Sequence, residues 1–175
     1  RLWHALLVGD ILRKLGLKIR PYEVNKGETD TVLETWMQKI ETAFESKNID
    51  PVKNLLAQAV DACGKIAKRG GKRPLVGIVG EIYVRSDPFI NAQLYRRIEE
   101  LGGEAALAPM SEWILYTGHI RGLIAETHMK GLSAMLEKAK IWLENNLFFE
   151  KTEHMYYDIA DPILQIDGQI IHFWK

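Results

Sequence analysis

The 175-residue sequence contains one cysteine, Cys63. A lone thiol excludes an internal disulfide and a self-contained cysteine metal site. Such sparing use fits a reducing, cytoplasmic setting. Charge of either sign is not in excess. The 23 basic and 23 acidic side chains cancel to a formal net charge of zero, so the electrostatic footprint of a nucleic-acid binder is missing. No apolar run approaches the roughly 20 residues needed to span a bilayer, so no membrane partner is expected. No secretory signal is visible, and a truncated start would hide one. An initiating methionine is lacking too: the chain opens at Arg1 into a helix-patterned run and stops at Lys175 inside an apolar one. Natural chains usually begin and end in polar, frayed segments. The expectation is a fragment of a larger protein without a complete active site of its own. At 175 residues the chain is long enough for one core, or for one core and a small satellite, and its apolar fraction of 47% is that of an ordinary globular protein.

Hydrophobic spacing divides the chain in two. Leu2, Leu6, Leu12 and Leu15 predict a helix that Gly16 stops. Pro21, Asn25 and Gly27 mark a loop over 17–30. Thr31 and Glu34 have capping-box spacing, ahead of a helical stripe of Val32, Leu33, Trp36, Ile40, Ala43 and Phe44. Asp50-Pro51 opens a third helix through Val52, Leu56, Ala59, Cys63 and Ile66. These elements form a helical unit over 1–68, followed by a basic, glycine-rich linker at 69–74 and an α/β unit over 75–175. Leu75 to Gly80 reads as a strand buried on both faces. Asp87-Pro88 predicts a helix through Leu94, Tyr95, Ile98 and Leu101, ended by Gly102-Gly103, and Ala105–Ala108 is the next strand. That is a βαβ unit with an expected right-handed crossover. Ser111 is expected to cap a short helix through Leu115, before a long one from Ile120 to Asn145 with Ile124, Leu132, Met135, Leu136, Trp142 and Leu143 on its apolar stripe. Phe148–Ile159 either continues it or follows a break after Asn146. Ile170–Trp174 fits strand or helix. Two strands do not make an independently stable sheet, so the α/β domain is expected to be truncated.

In open α/β sheets, ligands collect beyond the carboxyl ends of the strands. Two loops supply that rim, Gly80–Asp87 and Pro109–Trp113. Glu81, Arg85, Ser111 and Glu112 are the candidate ligand-binding residues. Arg85, placed just before a helix N-terminus, would help hold a phosphate or carboxylate; a surface pairing with Glu81 or Asp87 is the plain alternative. Gly77 and Gly80 lack dinucleotide-fingerprint spacing and there is no P-loop. Cys63 lies on an apolar stripe and reads as structural. Trp36, Trp113 and Trp142 fit core positions. His4, His119, His128, His154 and His172 are too scattered to suggest a metal. No catalytic residue emerges.

Three segments in order carry a resemblance: Arg20–Asp30 (RPYEVNKGETD), Val79–Arg85 (VGEIYVR) and Ala108–Tyr116 (APMSEWILY). The sequence resembles the large CoA-substrate-specific enzyme activase proteins of anaerobic bacteria, in their carboxyl-side region related to 2-hydroxyacyl-CoA dehydratase subunits. The similarity runs across most of the chain. It implies a flavodoxin- or Rossmann-like parallel βαβ core, helix-rich, with an N-terminal helical unit. In such systems an ATP-hydrolysing activase with an iron–sulfur cluster passes an electron to a dehydratase, which removes water from a 2-hydroxyacyl-CoA. The resemblance therefore implies ATP and an iron–sulfur (4Fe-4S) cluster in the parent system and no cofactor in this chain. The ATP-binding domain and cluster cysteines are not within it, the dehydratase-like cysteine is expected beyond Lys175, and Cys63 matches no cluster motif. Expected partners are the rest of the parent chain, an acyl-CoA, and a dehydratase or activase. Three roles compete. One is a dehydratase-like module, structural or acyl-CoA-binding, that helps hold an acyl-CoA or packs beside a cluster, with both rim loops lining one cleft. Another is a docking scaffold with a broad apolar surface on the Leu2–Ile66 helices. The third is a small-ligand module of flavodoxin-like kind.

Overall fold

A computed structural model describes residues 1–46, 48–128, 131–144 and 150–164 of the chain. It is helix-rich with a small parallel sheet, an α/β arrangement at the coarse level. In chain order the described elements are α1 (Leu2–Ile19), a 3-10 turn (Arg20–Tyr22), α2 (Glu28–Glu45), α3 (Asp50–Gly64), β1 (Leu75–Ile78), α4 (Ile82–Ser86), α5 (Leu94–Glu100), β2 (Glu104–Leu107), α6 (Met110–His128), α7 (Leu132–Leu143) and α8 (Glu150–Leu164). The junction expected after Asn146 and the Ile170–Trp174 segment lie outside the described residues.

The main core is helical. Leu7, Ile11 and Leu15 of α1, Ile40 of α2, Leu56 and Ala59 of α3, and Tyr156 and Ala160 of α8 form one buried cluster. Each large side chain so enclosed contributes about 1.5–3 kcal/mol of hydrophobic stabilisation. Cys63 sits fully buried among them, and burial pushes its thiol up to about 11, with Lys68 pulling weakly the other way. Only the thiolate reacts readily, and a free cysteine ionises near ~8.5. Native protein at about pH 8 should therefore be inert to a disulfide thiol reagent, and should titrate one thiol once unfolded in urea. Fast labelling without denaturant would contradict this packing.

A second, smaller core joins Leu17 of α1 to Ile78, Ala105 and Leu107 of the sheet. This explains why Gly16 does not stop α1. The next turn must stay helical to bury Leu17 and Ile19. Gly16 instead marks a close approach: a Cβ there would lie 3.1 Å from both the Arg20 Nη1 and the Leu33 Cδ1.

β1 and β2 pair in parallel, Leu75 with Glu104 through Ile78 with Leu107. The expectation that β1 is buried on both faces fails. Leu75 is 67% exposed and only Ile78 is buried, whereas Glu104, Ala105 and Leu107 of β2 are covered. Helix α1 packs on β2, and no third strand pairs with β1 among the described residues.

Several boundaries also move. α2 starts at Glu28, not after Thr31. Its N-cap, Gly27, has φ +89°, and its first N–H groups donate to the buried Glu23 carboxylate, from Gly27 at 2.7 Å and Thr29 at 2.9 Å. That replaces the capping box with a cap from outside the helix. The segment expected as a short helix followed by a long one is divided differently. α6 runs unbroken from Met110 to His128, and α7 follows Gly131 at φ +82°. Arg121 pairs with Glu137 at 3.3 Å across the two. The predicted stripe lies largely outside the core: Leu132, Met135, Leu136 and Trp142 are all more than half exposed.

The two halves of the sequence are held together by the Arg20–Asp30 segment. Arg20 makes a two-pronged pair with Glu99 of α5 at 2.7 and 2.8 Å and reaches Asp30 at 3.0 Å. Arg96 closes on Asp30 at 2.9 Å. Glu104 accepts from Lys18 at 3.1 Å and from the Tyr22 hydroxyl at 2.6 Å. The 69–74 segment is strapped to the same turn, with Arg69 N donating to the Tyr22 carbonyl at 2.7 Å and Arg73 N to the Tyr22 hydroxyl at 3.3 Å.

Candidate functional site

The carboxyl ends of β1 and β2 lead into α4 and α6, so the second and third resemblance segments do share a rim. Ile82 and Tyr83 from one and Met110 from the other line a hollow of about 330 Å³, together with Ser86 and with Asp10 and Arg13 of α1. None of the four candidate residues is among its lining.

Each candidate has a different setting. Glu81 is the N-cap of α4, accepting from Val84 N at 2.9 Å. Those N–H groups, Val84 first and then Tyr83, hold its carboxyl below the ordinary value. Arg85 falls in the last turn of α4 rather than before a helix N-terminus. Its carbonyl accepts from the Asn91 amide at 2.9 Å, and its Nε is buried without a hydrogen-bond acceptor among the described residues. The helix expected at Asp87-Pro88 begins only at Leu94. Asp87 instead caps a turn, taking the N–H groups of Phe89 and Ile90. The dipole assigned to Arg85 is therefore not at Arg85.

Ser111 and Glu112 belong to a buried polar centre where α1, α6 and α8 meet. The N-terminus of α6 already has its anion: the buried Asp10 carboxylate accepts from Met110 N at 3.1 Å and Ser111 N at 2.8 Å. Ser111 is thus anchored through its backbone and does not cap with its side chain. Around this contact stand Lys14, Glu153 and Tyr157. The Lys14 Nζ is buried, has no hydrogen-bond acceptor among the described residues, and lies 4.8 Å from the centre of the Tyr157 ring. Burial lowers its pKa, opposed by Glu112, Asp10 and Glu153 in that order. The Tyr157 hydroxyl is driven up, first by burial and then by Asp10. Ser111 is near enough to temper that rise, yet Ser111 Oγ and Tyr157 Oη meet no partner in hydrogen-bonding geometry among the described residues. Buried polar atoms are nearly always paired, so three orphans in one place set this centre apart.

Beside it a second hollow, of about 260 Å³, runs along β2 to its carboxyl end. Leu17, Leu107, Ala108 and Pro109 make its apolar wall, with Lys14, Glu112 and the Lys18–Glu104 ion pair as polar groups. The sequence did carry a signal for the residues missed. Trp3, Leu7, Asp10 and Lys14 recur at heptad spacing on α1, so two charged residues continue a line begun by two apolar ones.

Among the described residues no group of three or more His, Cys, Asp or Glu is placed to hold a metal ion, and no helix is long and apolar enough to cross a membrane. Compared with protein-family models, curated proteins and solved structures, the chain gives no match to any of the three.

Proposed function

We propose that the chain is a dehydratase-like module of an activase-related system, with a flavodoxin- or Rossmann-like core, and that it holds the acyl end of a CoA thioester. The observation that carries this reading is the hollow along β2. It reaches the carboxyl end of β2, the side on which ligands of α/β sheets collect, has apolar walls, and carries Lys14 and Glu112 beside the Lys18–Glu104 pair. Ligand pockets usually enclose about 300–1,000 Å³. A hollow of about 260 Å³ therefore suits a short acyl group and not a whole coenzyme. Lys14 would supply a donor with no acceptor of its own to a carbonyl or carboxylate oxygen.

An iron–sulfur cluster does not fit the residues present, since the one cysteine is enclosed in the helical core. ATP hydrolysis and electron transfer are assigned to the rest of the system, and the partners to the parent chain and to a dehydratase or activase in the cytoplasm. No chemical step is assigned to this chain.

Thermal unfolding with CoA and with a short acyl-CoA tests the reading. A ligand at a hundredfold over its dissociation constant stabilises by about 2.7 kcal/mol. The acyl-CoA should raise Tm clearly more than CoA alone, and Lys14→Met should erase the difference. Equal shifts, or none, would end the acyl reading. They would favour a docking scaffold, which has its own support: the exposed apolar side chains of Leu132, Met135, Leu136 and Trp142 on α7. The helices first expected to carry such a surface bury Leu7, Ile11, Leu15 and Leu56 instead.

A further inference from the structure

Another hollow, of about 330 Å³, lies between the Arg20–Tyr22 turn, the 69–74 strap and the end of α5. Its lining includes five cations and four carboxylates, and the decisive question is which charges are already neutralised. Glu99 is taken by Arg20, and Asp30 by Arg20 and Arg96. Glu23 is occupied by the N–H groups of Gly27 and Thr29. Lys26, Arg69 and Arg73 remain, and none forms an ion pair with a described carboxylate. Only Glu100, which is exposed, stands opposite them.

Two of these cations are fixed in place. Arg69 gives Nη2 to the Val24 carbonyl at 3.2 Å, and its own N–H to the Tyr22 carbonyl. The Arg73 guanidinium lies 5.7 Å from the centre of the Tyr22 ring. A guanidinium held this way loses little freedom when it binds, and its planar donor set matches the oxygens of a phosphoryl group.

We propose that this hollow is a binding site for a phosphate-class anion, a phosphoryl or pyrophosphoryl group of a small ligand. Arg69 and Arg73 grip the oxygens and Lys26 adds charge at the mouth. The site does not depend on the acyl reading, because it shares no lining residue with the β2 hollow and its probe carries no acyl group.

The test is calorimetric titration of the whole chain with inorganic pyrophosphate and with inorganic phosphate. Chloride is adjusted to hold ionic strength constant, because exposed charges respond to salt alone. Saturable binding of pyrophosphate, stronger than of phosphate, is expected. Arg73→Gln and Lys26→Ala should each weaken it, the arginine change by about tenfold, as for loss of a charged hydrogen bond. Arg69→Ala, combined with Arg73→Gln, should abolish it. Lys53→Ala, a surface charge on α3, should leave it unchanged. Circular dichroism and Tm without ligand establish that each variant is folded; should the double variant not fold, Arg73→Gln alone decides. No saturable heat, or undiminished binding in Arg73→Gln, would overturn the proposal.

Discussion

Replacing Asp10 by alanine is expected to lower folding stability by about 3 kcal/mol, the low end of what removing one partner from a buried charge cluster costs. Two effects combine. The first N–H groups of α6, at Met110 and Ser111, lose the acceptor that satisfies them, and an ordinary helix cap alone is worth about 0.5–2 kcal/mol. Lys14, already destabilised as a cation by burial, also loses one of the three carboxylates that oppose the effect. Asp10→Asn keeps one acceptor oxygen and removes the charge, so its cost should fall between wild type and alanine. Urea denaturation measures both, as a shift in midpoint at unchanged slope. A loss below about 0.5 kcal/mol for the alanine variant, the range of ordinary surface changes, would show that α6 does not rest on Asp10.

Arg20→Ala should be comparably damaging. The Arg20 and Glu99 side chains are only 10% and 8% exposed, so truncation strands a buried carboxylate, at a cost of about 3–5 kcal/mol. Glu99→Gln leaves Arg20 its contact with Asp30 and should cost less. A double-mutant cycle between positions 20 and 99 should then show coupling of about 1 kcal/mol or more, as contacting charged residues do. Additive effects would mean that the pair is not formed in solution. The same joint sets an acid response. Burial alone would raise the Asp30 carboxyl, but the hydrogen bond from Arg96 and the charge of Arg20 hold it below its ordinary value. A depressed carboxyl adds stability above its unfolded pKa and loses it as pH falls through the folded one. Wild type should therefore weaken on that acid side, and Asp30→Asn should flatten this part of the profile.

The α1, α2 and α3 helices were legible because their apolar residues recur at helical spacing and are buried in one core. The two short strands were legible from composition and bounding turns. What could not be read was how each element is covered. The run of Leu75, Val76 and Ile78 reads as buried on both faces, yet the described residues leave Leu75 largely exposed, and a sequence does not state how many strands will stand beside it. The boundary errors at Gly16, Thr31 and Asp87 each trace to a contact that the spacing does not show, tertiary at Gly16 and local at the other two. Gly16 sits against Leu33, and Glu23 caps α2 from the preceding turn. The site divided in the same way. Ser111 and Glu112 do stand beside buried charges, but Asp10 and Lys14 were hidden in the first helix, roughly a hundred residues away. Arg85 was placed by a helix start that belongs elsewhere.

The position of α1 between the two cores also governs how quickly this chain can fold. His4 and Tyr156 meet at 2.9 Å although 152 positions separate them, and Leu17 must find Ala105 and Leu107. Contacts so distant along the chain are slow to form, because a large loop must close before any burial rewards it. Until α8 and β2 exist, a growing chain has only α2 and α3 to cover α1, and the sides that meet Tyr156 and the sheet stay open to solvent. Aggregation during synthesis or refolding is therefore most to be expected from α1, and a chain lacking α8 should precipitate where the whole chain does not.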